Sequence, residues 1–278
     1  MGSKDEIIDT QIKFDYKNNI HNPITKFIQQ FNYDLESFVE LSQKYSGITY
    51  VQENGGNISV KLNDNYFIIK SSGVSFNKVS SKYGFSIFDF KNNSKLDSYP
   101  PPSMEYAFHT ALHYKYVVHL HPIYSTFICC TKDCEKILKQ IVIEPFKLIK
   151  YKTPGISLAK EIEKYSNYNV YFLQNHGIII CHDDKQFIAN TVESIESACQ
   201  KYLLQFADSF ETFRPVKSLK NIYTPDMAVY SDDQNKAQIL SIKQYYDYLA
   251  GIFKVKNLNK SAIKTILSMQ EEQYRKTL

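Results

Sequence analysis

The chain has 278 residues, of which 43% are hydrophobic, and this length is enough for one large core or two smaller ones. Its 33 basic and 29 acidic residues are scattered and leave a formal net charge of +4. Because no long basic block follows from this pattern, nothing favours a nucleic-acid partner. No apolar signal core opens the chain and no apolar run approaches the roughly 20 residues that span a bilayer, so we expect a cytoplasmic protein with no membrane partner.

The cysteines are five in number, namely Cys129, Cys130, Cys134, Cys181 and Cys199. They form no Cys-x-x-Cys pair, and most of them lie in apolar periodic stretches. An odd set of this kind is not the pattern of a disulfide framework. We therefore expect reduced, buried thiols.

Apolar periodicity predicts one α/β domain with a helical C-terminal extension. Residues 1–30 are polar and weakly patterned, a helix is expected near 34–45, and alternating stretches at 57–62 and 66–70 predict a hairpin. The later elements, in chain order, are a strand at 85–90, a helix at 104–116, a strand at 117–121, a helix at 124–138, a strand at 141–149, a helix at 157–165, strand material at 170–180, and helices at 184–206, 233–251 and 260–275. Between the helices predicted at 184–206 and 233–251, the stretch around 223–226 is expected to be a loop.

The most informative stretch is the apolar run that contains His119-Leu120-His121. Alternate side chains of a strand point to the same face, so the two imidazoles can reach one ion together. A tight Asn-His-Gly step at residues 175–177 offers a third imidazole, His176. A catalytic zinc is usually bound by three protein ligands, with one coordination position left open. Glu105, at the start of a predicted helix, brings a carboxylate close in sequence to the histidine pair.

A second arrangement of possible metal ligands competes with this one. Glu105, His109 and His113 are spaced by four residues and fall on one face of the predicted helix. His113 would lie two turns from Glu105, which makes a shared ligand sphere the less favoured alternative. We expect His109 to be a packing or hydrogen-bonding residue beneath the site.

Two short turns and one helix start could hold an anion. Gly55-Gly56-Asn57 and Ser71-Ser72-Gly73 lie at the ends of neighbouring predicted strands, and Ser103 is a favourable N-cap residue. Helix N-termini and exposed backbone N–H groups attract anions. Each turn, taken alone, is more typical of an ordinary turn than of an anion site.

Five short motifs occur in a fixed order, and together they resemble the class II aldolase/adducin family over roughly residues 35–210. The motifs are Gly56-Asn57-Ile58-Ser59, Ser71-Ser72-Gly73, Pro102-Ser103-Met104-Glu105, His119-Leu120-His121-Pro122 and Asn175-His176-Gly177. The resemblance implies a three-layer αβα domain around a central, largely antiparallel sheet. We place this domain at residues 31–213, with the N-terminal segment before it and the helical extension, residues 214–278, packed on it.

The family's functional residues map onto this chain motif by motif. In members such as L-fuculose-1-phosphate aldolase the three histidines bind zinc, which implies that role for His119, His121 and His176. The helix-start glutamate is the acid/base, which implies Glu105. Four residues would hold the substrate phosphate: Asn57, Ser72, Gly73 and Ser103. Imidazole ligands also suit manganese or cobalt, so zinc is the first expectation among several ions.

The implied activity is that of a metal-dependent aldolase, a carbon–carbon lyase of carbohydrate metabolism. It would cleave or form a bond in a phosphorylated ketose through a metal-stabilised enediolate, giving dihydroxyacetone phosphate or a similar fragment and an aldehyde. A carboxylate beside the ion can move the proton, ideally with its pKa raised by partial burial. The alternatives are a decarboxylase, dehydratase or epimerase of a sugar phosphate on the same metal site, and a non-catalytic, adducin-like binding module.

Departures from the family pattern bear on the substrate. Ser71 stands where many relatives have proline, and Met104 replaces a second serine, which removes one hydroxyl from the phosphate site. Residue 105 is Glu, whereas ribulose-phosphate 4-epimerases have Asp, and this favours aldol chemistry over epimerisation.

The resemblance also implies a homotetramer with active sites at subunit interfaces, where a neighbour supplies a second acid. Glu144 and the tyrosines near the C-terminus are the candidates for that acid. The segment 223–230 resembles one that follows the aldolase half of bifunctional aldolase–dehydrogenase proteins. It suggests a sugar-phosphate substrate and a tail that closes over the site.

Overall fold

The structure, a computed structural model, describes residues 30–96, 101–216, 220–230, 233, 236–270 and 272–273. All but the last residue of the predicted N-terminal segment lies outside this range. Eight strands are present in the described part: β1 (Asn57–Lys61), β2 (Tyr66–Lys70), β3 (Phe85–Asp89), β4 (Ser94–Lys95), β5 (Tyr116–Leu120), β6 (Phe146–Ile149), β7 (Val170–Leu173) and β8 (Gly177–His182). They form one sheet in the order β4-β3-β2-β1-β5-β8-β7-β6.

The sheet is antiparallel throughout except for its last pair, β6 and β7. This confirms the predicted α/β fold with a largely antiparallel sheet. In the centre, β5 pairs with β1 through Asn57 opposite His119, and with β8 through His119 opposite Ile179. Strands β1, β5 and β8, which carry or adjoin the motifs at 56–59, 119–122 and 175–177, are therefore neighbours in the sheet.

The described helices cover both faces of the sheet. They are α1 (Asn32–Lys44), α2 (Tyr106–Ala111), α3 (Ile123–Cys129), α4 (Cys134–Ile141), α5 (Ile156–Glu163), α6 (Lys185–Leu203), α7 (Pro225–Tyr230), α8 (Ala237–Ala250) and α9 (Lys260–Ser268). No described helix is long and apolar enough to cross a membrane.

Strand alternation divides the interior into two main cores. Val118 and Leu120 of β5 enter the larger core, which they share with side chains of α1, α3, α4 and α6 to α9. Val117 enters the smaller core, where Phe108 of α2 and Leu158 of α5 pack. Since alternate residues of a strand share a face, His119 points to the side of α2.

Several predicted elements differ from the observed ones. The helix predicted at 104–116 is only Tyr106–Ala111, because Tyr116 already begins β5. The helix predicted at 124–138 is two helices, α3 and α4. Between them Thr131 forms a bridge to Val255, and Lys132 N–H donates to Lys254 O. The chain is extended there to pair with a distant segment, so the helical hydrogen-bond pattern is interrupted.

Three other expectations can be compared with the structure. The strand predicted at 141–149 is limited to Phe146–Ile149, since Ile141 ends α4. The loop predicted around 223–226 is wrong in its second half, because Pro225 begins the short helix α7. The five cysteines are free and buried, as predicted.

Candidate metal centre

The end of β5 places two imidazoles side by side. His119 is the penultimate residue of the strand, and His121 follows its end with its N–H donating to Tyr50 O. Their Nε2 atoms lie 3.0 Å apart. Leu120, between them, points into the opposite core, as the strand alternation predicted.

The Asn-His-Gly step between β7 and β8 supplies the third imidazole. Asn175 has a positive φ of 57°, and this left-handed residue lets the chain reverse within a few residues. A Cβ added to Gly177 would lie 2.3 Å from Leu120 O, so only glycine lets β8 start this close to β5. The result is that one nitrogen from each of His119, His121 and His176 lies within 4.8 Å of the others.

The outer nitrogens fix the orientation of two of these rings. His119 Nδ1 lies 2.9 Å from Ile178 O and must donate to this carbonyl, which leaves Nε2 as the nitrogen that a metal ion would bind. His121 Nδ1 lies 2.6 Å from Oδ2 of Asp226. His176 Nδ1 has no hydrogen-bond partner among the described residues. Metal-binding histidines commonly present one nitrogen and donate the other to a carbonyl or carboxylate.

Glu105 lies against this cluster from the start of α2. Its Oε2 is 3.3 Å from His119 Nε2, and its Oε1 is 3.6 Å from His176 Nε2. The side chain is buried, and Oε1 has no hydrogen-bond partner in the described structure. One carboxylate oxygen is therefore available to a ligand or to a proton.

The charges of these groups are coupled. The sequence predicts a raised pKa for Glu105, and this is wrong: burial raises the pKa, but the neighbouring His119 and His176 lower it well below its ordinary value. Burial lowers the pKa of His119, yet the Glu105 carboxylate raises it above its ordinary value. Burial also lowers the pKa of His176 to about 3. Glu105 is therefore held in its ionised, carboxylate form.

This donor set fits a divalent cation. Three imidazoles with converging nitrogens and an adjacent carboxylate are ligands that zinc and related first-row ions accept. Binding would require His119 to lose its proton, as metal binding to histidine generally does. The residues that would hold the ion are His119, His121 and His176, with Glu105 beside it.

A hydrogen-bonded chain beneath the site orients Glu105. Asn57 Nδ2 donates to Glu105 Oε2 at 2.8 Å and to Ser103 Oγ at 3.0 Å. Its Oδ1 therefore faces His109 Nε2, 2.5 Å away, which must carry the proton. His109 Nδ1 then accepts from the Ser59 hydroxyl at 2.7 Å. This confirms His109 as a hydrogen-bonding residue beneath the site.

The competing helical arrangement is not formed. Both ring nitrogens of His109 are occupied, as described above, and burial lowers its pKa to about 3. His113 lies beyond the end of α2 and is exposed. Glu144, a candidate second acid, lines a separate groove with Glu135 and Lys139.

The predicted phosphate residues line the same cleft as the metal cluster. One cleft is lined by Asn57, Ser72, Gly73 and Ser103 together with Glu105, His121 and His176. The Ser72 N–H already donates to Pro101 O, and the Ser103 N–H donates to Lys70 O. The expected grip by backbone N–H groups is therefore reduced, and the two serine hydroxyls remain as candidate donors.

Three lining residues escaped the sequence reasoning. Lys70 is buried, ends β2 and donates from Nζ to Val74 O at 2.6 Å, and it supplies a positive charge next to Ser72. A lysine directly before the Ser-Ser-Gly turn was the only signal. Asp226 and Glu272 reach the cleft from the segment after residue 220. The resemblance of segment 223–230 predicts a tail over the site, but it singles out neither residue, because their positions depend on the packing of that segment.

Comparison with known proteins agrees with this geometry. Residues 36–203, more than half of the chain, match the family described as Class II Aldolase and Adducin N-terminal domain. The chain belongs to this family.

Relatives within the family differ in their named reactions. The chain is 27% identical over 206 residues to 3-oxo-tetronate 4-phosphate decarboxylase of Haemophilus influenzae, which covers 67% of the chain and 95% of that protein. It is 25% identical over 183 residues to L-fuculose phosphate aldolase of Methanocaldococcus jannaschii, covering 62% and 96%. Both relatives are named for a phosphorylated compound, and class II aldolases are generally metal-dependent.

The fold also agrees with solved structures. The N-terminal class II aldolase domain of a Thermoplasma acidophilum protein superposes with a TM-score of 0.56 at 21% identity, over 69% of this chain and 100% of that one. An L-fuculose 1-phosphate aldolase gives a TM-score of 0.51 at 19% identity, over 62% and 86%. At these identities the likeness concerns the fold.

Proposed function

We propose that this class II aldolase family member is a zinc-dependent aldolase that cleaves or forms a carbon–carbon bond in a phosphorylated ketose. The products of cleavage would be dihydroxyacetone phosphate, or a similar fragment, and an aldehyde. The observation that carries the proposal is the convergence of three imidazole nitrogens on Glu105 in a cleft that is also lined by Lys70, Ser72 and Ser103.

Glu105 would move the proton in this reaction. A bound divalent ion supplies stabilisation of the negative charge that develops on the substrate's carbonyl oxygen. Oε2 of Glu105 is held by Asn57, whereas Oε1 has no partner among the described residues and is free to accept a proton. Because the imidazoles keep the pKa of Glu105 low, the carboxylate starts as a base.

Other lining residues of the same cleft would hold the phosphate. Lys70 provides charge, and the hydroxyls of Ser72 and Ser103 provide hydrogen-bond donors beside Gly73. Asn57 links the proposed phosphate residues to the proposed acid/base, since its amide contacts both Ser103 and Glu105. Anchoring the phosphate would place the bond to be broken next to Glu105, and remote binding energy is then used for orientation.

Decarboxylation is the second candidate. It is favoured by the Haemophilus influenzae relative, whose name specifies a sugar-acid phosphate. The two reactions share a phosphate anchor and a carbonyl next to the bond that breaks. They differ in the product, because one releases an aldehyde and the other carbon dioxide. The retained histidines and Glu105 disfavour a purely adducin-like binding module.

The first test is elemental analysis of the purified full chain, followed by product screening. We expect about one zinc per chain and aldehyde release from a ketose 1-phosphate. Manganese and cobalt are tested by reconstitution, and sugar-acid phosphates are screened in parallel for carbon dioxide. Carbon dioxide without aldehyde would select the second candidate. A protein that neither retains nor is activated by zinc, manganese or cobalt would refute both enzyme proposals.

The matched variants are His119→Ala and His113→Ala. We expect the first to lose zinc, whereas the second removes an exposed imidazole outside the cluster and should retain it. Light scattering tests the proposed cytoplasmic homotetramer, in which a neighbouring subunit would supply the second acid. Stoichiometric zinc in His119→Ala would contradict the proposed ligand set.

A further inference from the structure

The segment after residue 220 contacts the candidate metal centre directly, through a hydrogen bond between Asp226 and His121. We propose that Asp226 is a positioning residue that fixes His121 for metal binding and makes this C-terminal segment (residues 220–273) part of the metal centre. The inference rests on the metal-binding part of the proposed function. It concerns a residue beyond the stretch that matches the family, which ends at residue 203.

The contact between Asp226 and His121 has the geometry of a strong hydrogen bond. Oδ2 of Asp226 lies 2.6 Å from Nδ1 of His121, and both side chains are more than nine-tenths buried. A carboxylate accepting from Nδ1–H leaves the lone pair on Nε2, the atom that faces His119 Nε2 at 3.0 Å. Carboxylates placed in this way orient a ligating imidazole and raise its basicity.

Local structure holds Asp226 in place. It lies in the first turn of α7, where the Thr224 hydroxyl accepts from the Met227 N–H at 3.3 Å. Just upstream, the Tyr223 hydroxyl donates to Asp247 of α8 at 2.8 Å. The Asp226 carboxylate therefore projects from the first turn of α7, which these hydrogen bonds hold in place.

A second contact links the same segment to the third imidazole. Asn175, directly before His176, donates from Nδ2 to Tyr223 O at 2.9 Å and to Lys256 O at 2.7 Å. The two loops that carry His121 and His176 thus bind one stretch of the C-terminal segment. Docking of that stretch and the arrangement of the imidazoles are linked by these contacts.

The turn before β1 leaves room for this arrangement. A Cβ added to Gly55 would lie 2.9 Å from both Asp226 Oδ2 and His121 Nδ1. This spacing is shorter than a methyl group tolerates, so Gly55→Ala should push the carboxylate and the ring apart while Asp226 itself remains. It gives a second, independent way to disturb the contact.

The test is the zinc affinity of the full-length protein, measured by competition with a chelator. We expect Asp226→Ala to bind zinc about 10- to 100-fold more weakly than wild type, with Asp226→Asn and Gly55→Ala weakened by a smaller factor. The matched control is Asp89→Asn. Asp89 is also a buried aspartate that accepts backbone hydrogen bonds, but it lies at the end of β3, away from the centre. Its affinity for zinc should stay within about twofold of wild type.

Two spectroscopic readouts separate positioning from general stability. In ¹⁵N-histidine spectra, wild type should show a downfield imidazole N–H proton from His121 that disappears in Asp226→Ala. The visible spectrum of the cobalt-substituted protein should change in Asp226→Ala and Gly55→Ala, and not in Asp89→Asn.

The outcomes are separable. If wild type binds no zinc, the metal-binding proposal itself fails. If wild type binds zinc and Asp226→Ala binds equally well with an unchanged cobalt spectrum, only the role of Asp226 is overturned. Should Asp226→Ala fail to fold, the nearly isosteric Asp226→Asn and the Gly55→Ala variant decide: wild-type affinity in both would overturn the inference.

Discussion

A few residues with particular backbone conformations or hydrogen bonds position the groups of the candidate metal centre. Gly177 permits the close approach of β8 to Leu120 O, and Asn175 adopts the left-handed turn before His176. Asn57 has its amide orientation fixed from below by His109, so that its amino group faces Glu105. His176 and Glu105 are thus held by neighbours whose own positions are constrained.

The role proposed for Glu105 predicts a separation of metal binding from turnover. Glu105→Gln keeps an oxygen that can accept from Asn57 but cannot take up a proton. We expect zinc content to remain at wild-type level while kcat falls by about 10² to 10⁴-fold, the usual contribution of a general base. The two quantities are measured on the same preparation. Loss of zinc in this variant would instead make Glu105 an essential ligand.

The hydrogen-bonded chain beneath Glu105 predicts an effect of His109. His109→Ala leaves Asn57 Oδ1 and the Ser59 hydroxyl without their partner in a buried site. We expect a loss of about 1–3 kcal/mol in the free energy of unfolding and a lower kcat with unchanged zinc content. Denaturant titration and steady-state kinetics check this. The exposed His113→Ala is the control, and an equal effect of both variants would contradict the prediction.

The helices hold the histidine strand at its end. Helix α3 begins at Ile123, two residues after His121, and its first N–H groups need partners. Glu196 of α6 supplies them, because its two oxygens accept from the N–H groups of Tyr124 and Ser125 at 2.8 and 3.0 Å. A buried carboxylate from one helix thus caps another next to the metal centre.

This capping predicts a pH dependence of stability. Burial raises the pKa of Glu196 to about 7, despite the backbone hydrogen bonds that lower it, from an ordinary value of 4.5. Between these two values the folded state binds more protons than the unfolded state, so the free energy of unfolding falls as pH rises from about 4.5 to 7. The loss should be at most roughly 3 kcal/mol.

The measurement is denaturant unfolding across that pH range for wild type and Glu196→Gln. In the variant one of the capped N–H groups loses its acceptor, so its free energy of unfolding should be lower than that of wild type at low pH. Because the variant lacks the titrating carboxyl group, its free energy of unfolding should not show the fall between about pH 4.5 and 7 that Glu196 causes. A wild-type slope identical to that of the variant would contradict the raised pKa.

At the scale of the whole molecule, the larger core includes side chains of the C-terminal segment. Tyr223, Tyr245 and Tyr246 are fully buried in the core that also contains the inner side chains of the central strands. The Tyr246 hydroxyl donates to Ile123 O at 2.8 Å, at the start of α3. The segment therefore contributes to the interior as well as to the metal centre.

Removal of this segment should abolish the native fold. A chain ending at residue 216 would expose the apolar surface that these tyrosines cover, and it would lack Asp226. We expect it to be insoluble or to unfold without a cooperative transition, as judged by thermal melting. The control is Tyr246→Phe, which keeps the packing and should cost only about 0.5–1.5 kcal/mol. A truncated chain with wild-type melting and zinc content would refute the prediction.

The sequence by itself determined the alternation that builds the central sheet and the three histidines with Glu105. These signals are local, since strand alternation and the His-x-His and Asn-His-Gly steps act over a few residues. Local periodicity was misleading where a distant segment intervened. The apolar pattern at 124–138 predicts one helix, but pairing with residues 254–256 divides it into α3 and α4.

Only the tertiary structure decided which groups complete the site. Asp226 contacts His121 across 105 residues of sequence, and Asn57 contacts Glu105 across 48. Lys70 enters the cleft because β2 ends beside the turn at Ser72. Such contacts depend on how the strands and the C-terminal segment pack together, and that packing minimises the exposed apolar surface of the whole chain, a quantity that no short stretch of sequence contains.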